Sequence, residues 1–280
     1  MTTVFSRHVI RRKRASLGAV FGSLWKNRNL AGELIRRDIR ERYVSQTFSW
    51  LWVVLQPVLT ISAYFVVFGY IFNGRITATS SRTDYAVFLL SGLLPWLSTT
   101  DILTRAVTAV SGMPSFVKQM IFPVEVLPLK VFGSAAISFL LSSTLFLGYV
   151  VASGRTEWFM IVAWPFSLLC LATFLIGSSY ILSATGVFLR DVRDLVQIYT
   201  SLGLFASPAL YVFDTLPTPL KIVIALNPVT PFILMFQDSI SGVGHLHVFA
   251  WIAGPIVAGA TLLAGFAIFN ALRSVMGEVL

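Results

Sequence analysis

The sequence runs to 280 residues, of which 56% are hydrophobic and 12% charged, against the roughly 25% charged residues of a soluble domain. The formal net charge is +9, but residues 1–45 alone hold eleven Lys/Arg against three Asp/Glu, and the remaining chain is close to neutral. Basicity confined to a segment ahead of a long apolar body marks a membrane-surface or orientation signal, with a nucleic-acid groove a poor second choice.

In chain order, residues 1–27 read as a basic cytosolic tail. Residues 28–47 read as an amphipathic helix lying in the membrane interface. Leu30, Leu34, Ile35, Ile39 and Tyr43 recur at spacings near four, and arginines fill the other face. Residues 36–42 carry six charges in seven positions, and no charge then appears until Arg75. Further charge-free runs cover 85–100, 131–154, 158–189 and 239–272. The last three exceed the ~20 apolar residues that a helix needs to cross a bilayer. Inside lipid every backbone polar group needs an internal partner, so the spans must be helices.

The expected architecture is therefore all-α. Residues 48–280 form a polytopic permease-like domain of six transmembrane helices, at about 50–72, 85–106, 127–152, 158–189, 195–213 and 248–271. Trp50 and Trp52 suit an interfacial aromatic belt, and Pro57 should bend the first span. Between spans five and six, residues 222–237 are apolar but only 16 long and are broken by Asn227-Pro228 and Pro231. They read as an external re-entrant helical hairpin. Six spans put both termini on one side. With that side cytoplasmic, seventeen Lys/Arg fall inside and four outside, as the positive-inside rule requires.

Several chemistries are missing. No lysine follows a glycine, so no Walker A loop exists. The one cysteine, Cys170, lies in an apolar run and has no partner for a disulfide within the chain. His245 and His247 form the only close histidine pair, and it reads as a solvated external loop rather than a metal site. Asp101 and Lys130 sit near span ends and no charge sits at a midplane, which argues against a self-powered, ion-coupled transporter. A channel, a scaffold or a permease driven by a separate motor remains.

A series of short motifs then narrows the choice. Trp50-Leu51-Trp52 leads to Leu55-Gln56-Pro57, followed by Leu93-Leu94-Pro95-Trp96 and by Lys118-Gln119-Met120-Ile121-Phe122-Pro123-Val124-Glu125. Phe188-Leu189-Arg190-Asp191-Val192-Arg193-Asp194, Ser207-Pro208-Ala209-Leu210-Tyr211 and Asn227-Pro228 complete the order. From about residue 28 onward the chain resembles the permease subunit of bacterial polysaccharide exporters, the type-2 subclass of ATP-binding-cassette transporters that exports O-antigen, capsule or teichoic acid. It departs from them in its long basic N-terminal extension, and in Val124, where many members carry a basic residue.

The resemblance implies a homodimer in a bacterial inner (plasma) membrane, with both termini cytoplasmic and two copies of an ATPase subunit docked beneath. It implies a lipid-linked polysaccharide as cargo, and ATP with magnesium on the partner rather than any cofactor in this chain. Residues 112–122 look like the coupling helix, with Met113, Pro114, Phe116 and Lys118 as contacts; the alternative is a plain surface loop. Arg190, Asp191, Arg193 and Asp194 look like a second ATPase contact, or else a solvated helix end.

Two stripes are channel candidates. Tyr64, Phe68 and Phe72 recur at i, i+4, i+8, and Gln197, Thr200, Ser201, Ser207 and Tyr211 lie along one face. Aromatic faces suit sugar C–H groups, although helix packing explains the same pattern. Arg36, Arg37, Arg40 and Arg42 lie at headgroup depth, where guanidinium groups suit the pyrophosphate of a lipid-linked glycan or anchor the helix on anionic membrane lipids. Asn227, Pro228 and Asp238 belong to an outer gate. Two rival functions stay open: an ATP-driven exporter of a lipid, drug or small peptide, and a membrane-embedded glycan transferase. The transferase would need acid–base groups that the spans lack.

Overall fold

The computed structural model describes residues 22, 25–43, 49–71, 82–117, 122–154, 156–241 and 246–279, and every regular element among them is helical. In chain order these are α1 (Arg28–Tyr43), α2 (Ser49–Val66, continued by a π turn over Val67–Ile71), α3 (Arg82–Ala106), α4 (Pro114–Val117) and α5 (Val126–Ala152). Then follow α6 (Trp158–Phe188), α7 (Asp191–Leu202), a 3-10 turn (Phe213–Thr215), α8 (Thr218–Ala225), α9 (Thr230–Ser241) and α10 (Val248–Val279). Five helices, α2, α3, α5, α6 and α10, are long and apolar enough to cross a membrane, and the bent pair α8–α9 makes a sixth if it counts as one span.

The bundle is built around α3. Its apolar stretch is the most buried of the five, and α2, α5, α6, α7 and α9 all pack on it. Leu89, Leu90, Leu93 and Trp96 are fully or almost fully removed from solvent. Pro95 costs one backbone hydrogen bond here, leaving the Ser91 carbonyl without its donor, and one turn on Thr99 donates its hydroxyl to the Pro95 carbonyl at 2.8 Å.

Helices α6 and α10 lie closest of all. A Cβ placed on Gly177 would sit 2.5 Å from the backbone of Thr261 and Leu262, and one on Gly265 would strike the Gly177 carbonyl. Small residues let membrane helices approach this near, where van der Waals packing must replace the hydrophobic force. Beside the crossing, Tyr180 meets Phe266 and Phe269 with ring centroids 4.7 and 5.1 Å apart.

Ion pairs fix the direction of the bundle. Asp38 of α1 reaches Arg105 at the end of α3 and Lys130 at the start of α5, each at 2.9 Å. Arg273, near the end of α10, reaches Glu125 just ahead of α5 at 3.4 Å. Helix α1 and the last turns of α10 therefore share one end of the bundle, the basic end. At the opposite end Trp251, early in α10, stands 5.6 Å from Phe159, early in α6.

The chain leaves the basic end at α7 and has reached the opposite end by Phe213, whose ring lies 5.7 Å from both His247 and Phe249 at the start of α10, so residues 191–213 make one further passage. The span expected at 195–213 is corrected in form, not in place: only its first part is helical. Its helix, α7, has 12 residues and stops at Leu202. Gly203 is wedged between the Tyr199 carbonyl and the Trp96 ring. Turns follow to Val212, and Pro208 among them supplies no backbone donor. Helices α8 and α9 then meet at 108° across the Asn227-Pro228 break, which matches the expected pair of half-helices. Every α9 residue from Thr230 to Ser239 is buried among α3, α6 and α10. Protein surrounds α9, whereas Leu226 and Pro228 at the break are exposed in the single chain.

Candidate functional site

Helix α1 is held to the bundle by charge and shape together. Asp38 is 15% exposed and takes both Arg105 and Lys130. Arg105 also donates to Ser134 Oγ and to the Val131 carbonyl, both at 3.1 Å, and pairs with Asp101. Asp101 in turn receives Arg42 at 2.9 Å. Burial alone would raise the Asp38 carboxyl; the Ser134 hydroxyl, Lys130 and Arg105 outweigh it and hold the group below its ordinary range. Ile35 lies so close to Gly133 that a Cβ there would strike it.

The four candidate headgroup arginines therefore separate. Arg42 is committed to Asp101 and Arg37 pairs with Glu41 at 2.6 Å. Arg36 and Arg40 are exposed and make no ion pair among the described residues.

The basic end also gathers both coupling candidates. Helix α4 is a single turn with Pro114 exposed and Met113 half-buried. Met113, Phe122 and Val124 pack against a small core made by Val187, Phe269 and Met276. Arg190, Asp191, Arg193 and Asp194 are all exposed, immediately beyond α6, whose last turns enter the same core. The Phe116 side chain and all of Lys118 lie outside the described residues.

The two channel stripes fare differently. Phe68 is buried and Tyr64 stacks on it at 5.9 Å, so within one chain these rings pack inward. Phe72 lies outside the described residues. On α7, Gln197 and Ser201 are exposed and Thr200 is half-buried, whereas Ser207 is buried and Tyr211 half-buried. Tyr211 donates its hydroxyl to the Phe205 carbonyl at 3.0 Å.

Of the gate residues, Asn227 forms a joint inside the bundle, beside the Tyr199–Trp96 ring pair. Asn227 Oδ1 accepts the Tyr199 hydroxyl at 2.8 Å and the Val229 N–H at 3.1 Å, while its amide donates to the Ala206 carbonyl at 3.0 Å. One side chain thereby ties α7, the turn after it and the start of α9. Pro228 beside it is exposed.

Asp238 of α9 is 1% exposed and accepts the His247 backbone N–H at 2.8 Å and the Trp251 indole N–H at 2.9 Å. His247 Nδ1 lies 2.6 Å from it. On the ring's far side, Nε2 stands 3.3 Å from Asp214 of the 3-10 turn, near enough for an ion pair but not aligned for a hydrogen bond. The reading of His247 as part of a solvated loop is thus corrected: its side chain is 13% exposed and clamped between two carboxylates. His245 lies outside the described residues.

Burial pushes the His247 pKa down, but Asp238 and then Asp214 outweigh it and raise it above 6.5. Lys221, over the Phe213 ring that the imidazole touches edge-on, is the nearby cation. A raised pKa in the folded state adds stability that is full below about pH 6.5 and fades as pH climbs through the raised value. Thermal unfolding of the native chain and of His247→Gln across about pH 5–9 should show this. The gap between them is expected to be widest at acid pH and to close in alkali; a constant gap would refute the charged clamp.

Sequence reading did not pair Asp38 with Lys130, nor His247 with Asp238. The one available signal was Asp101 and Arg105, four apart inside an apolar span.

Against known proteins, residues 30–240 match the family described as ABC-2 type transporter. The chain is 28% identical to the O-antigen export system permease protein RfbA of Myxococcus xanthus over 216 residues, 76% of this chain and 81% of that one. It is 27% identical to an RfbA of the same description from Klebsiella pneumoniae over 250 residues, 88% of this chain and 93% of that one. A shorter likeness, 32% over 79 residues, links it to the polysialic acid transport protein KpsM of Escherichia coli, covering 28% of this chain and 29% of that one. A helical membrane bundle of this order, matched to the family model over most of its length, shows that the chain belongs to the ABC-2 type transporter family.

Proposed function

We propose that this chain is the membrane subunit of an exporter that moves a lipid-linked polysaccharide out of the cytoplasm of a bacterium. The observation that carries the reading is the likeness to O-antigen export permeases over 76% to 88% of the chain. In this family the ATPase is a separate subunit; ATP and magnesium would bind there.

The geometry supports the parts of this reading. The basic end, with α1, Arg105, Lys130 and Arg273, faces the cytoplasm by the positive-inside rule. It presents Pro114 and the 190–194 charges on one surface, suited to two contacts with an ATPase. Helix α7 exposes Leu195, Ile198 and Leu202, more than half exposed in the single chain, beside Gln197 and Ser201. Two copies meeting along such faces would enclose a passage with polar and apolar patches, which a hydrated glycan tolerates. Asp238 holds the end of α9 at the outer mouth, and Asn227 holds the α8–α9 break deeper in the bundle. Arg36 and Arg40, exposed at headgroup depth, remain available to a lipid pyrophosphate.

Removing the gene should leave the lipid-linked glycan to accumulate, complete, on the cytoplasmic face, and removing the partner ATPase should give the same phenotype. Charge reversal of Arg190 and Arg193 should reproduce it with normal membrane insertion. A surface that keeps its full glycan after deletion, or accumulation of a lipid or small peptide instead, would overturn the reading.

A further inference from the structure

Two cavities lie end to end along the seam between α2 and α5. The first, of about 280 Å³, is bounded by α2, α3 and α5 near the basic end. Its wall carries Arg42 and Asp101 at one limit and the hydroxyls of Thr60, Ser98 and Ser138 deeper in. The second, of about 480 Å³, continues toward the opposite end and is lined by Phe65, Val66, Leu145 and Tyr149. Ile61 lines both. From Gln56 to Tyr70 the seam covers fourteen residues of helical rise, about 21 Å. A polar compartment at the surface leading into a long apolar one has the shape of a single amphiphile.

The chemistry of the polar end selects the head. Arg42 spends one nitrogen on Asp101 and is 23% exposed, and a guanidinium has five N–H donors. Asp101 already serves Arg42 and Arg105, so it has little to offer an ammonium group. Across the lattice, Arg42, Arg105 and Lys130 exceed Asp38 and Asp101 by one positive charge. Ser98 is 8% exposed and lines this cavity, and its hydroxyl has no hydrogen-bond partner among the described residues. A hydroxyl that faces the cavity and is not bonded within the chain is free to meet a headgroup. The volume suits a headgroup and falls below that of ordinary ligand pockets; a pyrophosphate bearing sugars would not enter.

We infer that the α2–α5 seam is a binding site for one resident phospholipid with a monoanionic, hydroxylated headgroup of the phosphatidylglycerol type. Its phosphate meets Arg42, its glycerol hydroxyls meet Ser98, Thr60 and Ser138, and an acyl chain passes Ile61 into the second cavity. The bound lipid fills the gap beside the lightly packed α2.

The full chain, purified in mild detergent, is exposed to phosphatidylglycerol, phosphatidylethanolamine or polyprenyl phosphate, and retained lipid is counted by native mass spectrometry. One phosphatidylglycerol per chain should be retained in preference to the other two. Ser98→Ala should weaken retention about fivefold, the worth of one hydrogen bond. Arg42→Gln should weaken it about tenfold or more, as loss of a charge-assisted bond does. Ile61→Trp, which closes the passage between the cavities, should abolish it. Circular dichroism and gel filtration confirm that each variant is folded. Equal retention of phosphatidylglycerol and phosphatidylethanolamine, preference for polyprenyl phosphate, no retained lipid, or retention unchanged in folded Ser98→Ala and Ile61→Trp would each overturn the site.

Discussion

Gly177→Val should destroy the folded bundle, while Gly148→Val, in the last turns of the long helix α5, should leave it almost untouched. At Gly177 the nearest obstacles to a new Cβ are the carbonyl of Thr261 and the amide of Leu262, at 2.5 Å. Backbone inside a helix cannot swing aside as a side chain can. Helices α6 and α10 would have to part, and the Tyr180 contacts with Phe266 and Phe269 would open with them. Nothing lies within 4 Å of a Cβ on Gly148. Overpacking a tight interior costs about 1–3 kcal/mol and sometimes more; here the obstacle is main chain, so the upper limit or beyond is expected. Thermal unfolding and gel filtration in detergent read the difference. Equal behaviour of the two variants would refute the close crossing.

Asp38→Asn should release α1 and cost about 3–5 kcal/mol, the range for removing one partner of a buried ion pair. The loss falls chiefly on Lys130, whose side chain is 9% exposed and whose ion pair is with Asp38. Arg105 keeps Asp101, Ser134 and the Val131 carbonyl. Arg42–Asp101 remains as well, but it is more open to water and holds α1 less firmly. The double variant Asp38→Asn/Lys130→Met removes the stranded charge and should recover most of the stability. Protease sensitivity of α1 should rise in the single variant and fall back in the double. If the single variant is silent, α1 is held by packing and not by this lattice.

These two predictions draw on different depths of the sequence. The spans were legible because charge-free runs longer than a bilayer permit few other structures, and the bent α8–α9 pair because Asn227-Pro228 breaks a helix. That Arg28–Tyr43 is helical was legible from its spacing. The early end of the helix in span five was not, because its apolar letters do not reveal that Gly203 lies against Trp96, a residue over a hundred positions away. Tyr64 and Phe68 showed their helical stripe but not which way it turns; a stripe facing a channel and one facing a neighbouring helix are written alike. Asp38 looked like one more charge on a solvated face, since its partners Arg105 and Lys130 come 67 and 92 residues later. Asp238 and His247 were each visible, yet only the turn between α9 and α10 joins them.

The central claim is a division of labour, in which this chain provides the passage and a separate ATPase provides the work. The most direct measurement reconstitutes the purified chain in vesicles with lipid-linked glycan, alone and with its ATPase, and follows the glycan across the membrane. Transport should require the ATPase and hydrolysable ATP, and should stop when Arg190 and Arg193 are reversed in charge. Transport by the chain alone, at the rate of the complete assembly, would contradict it.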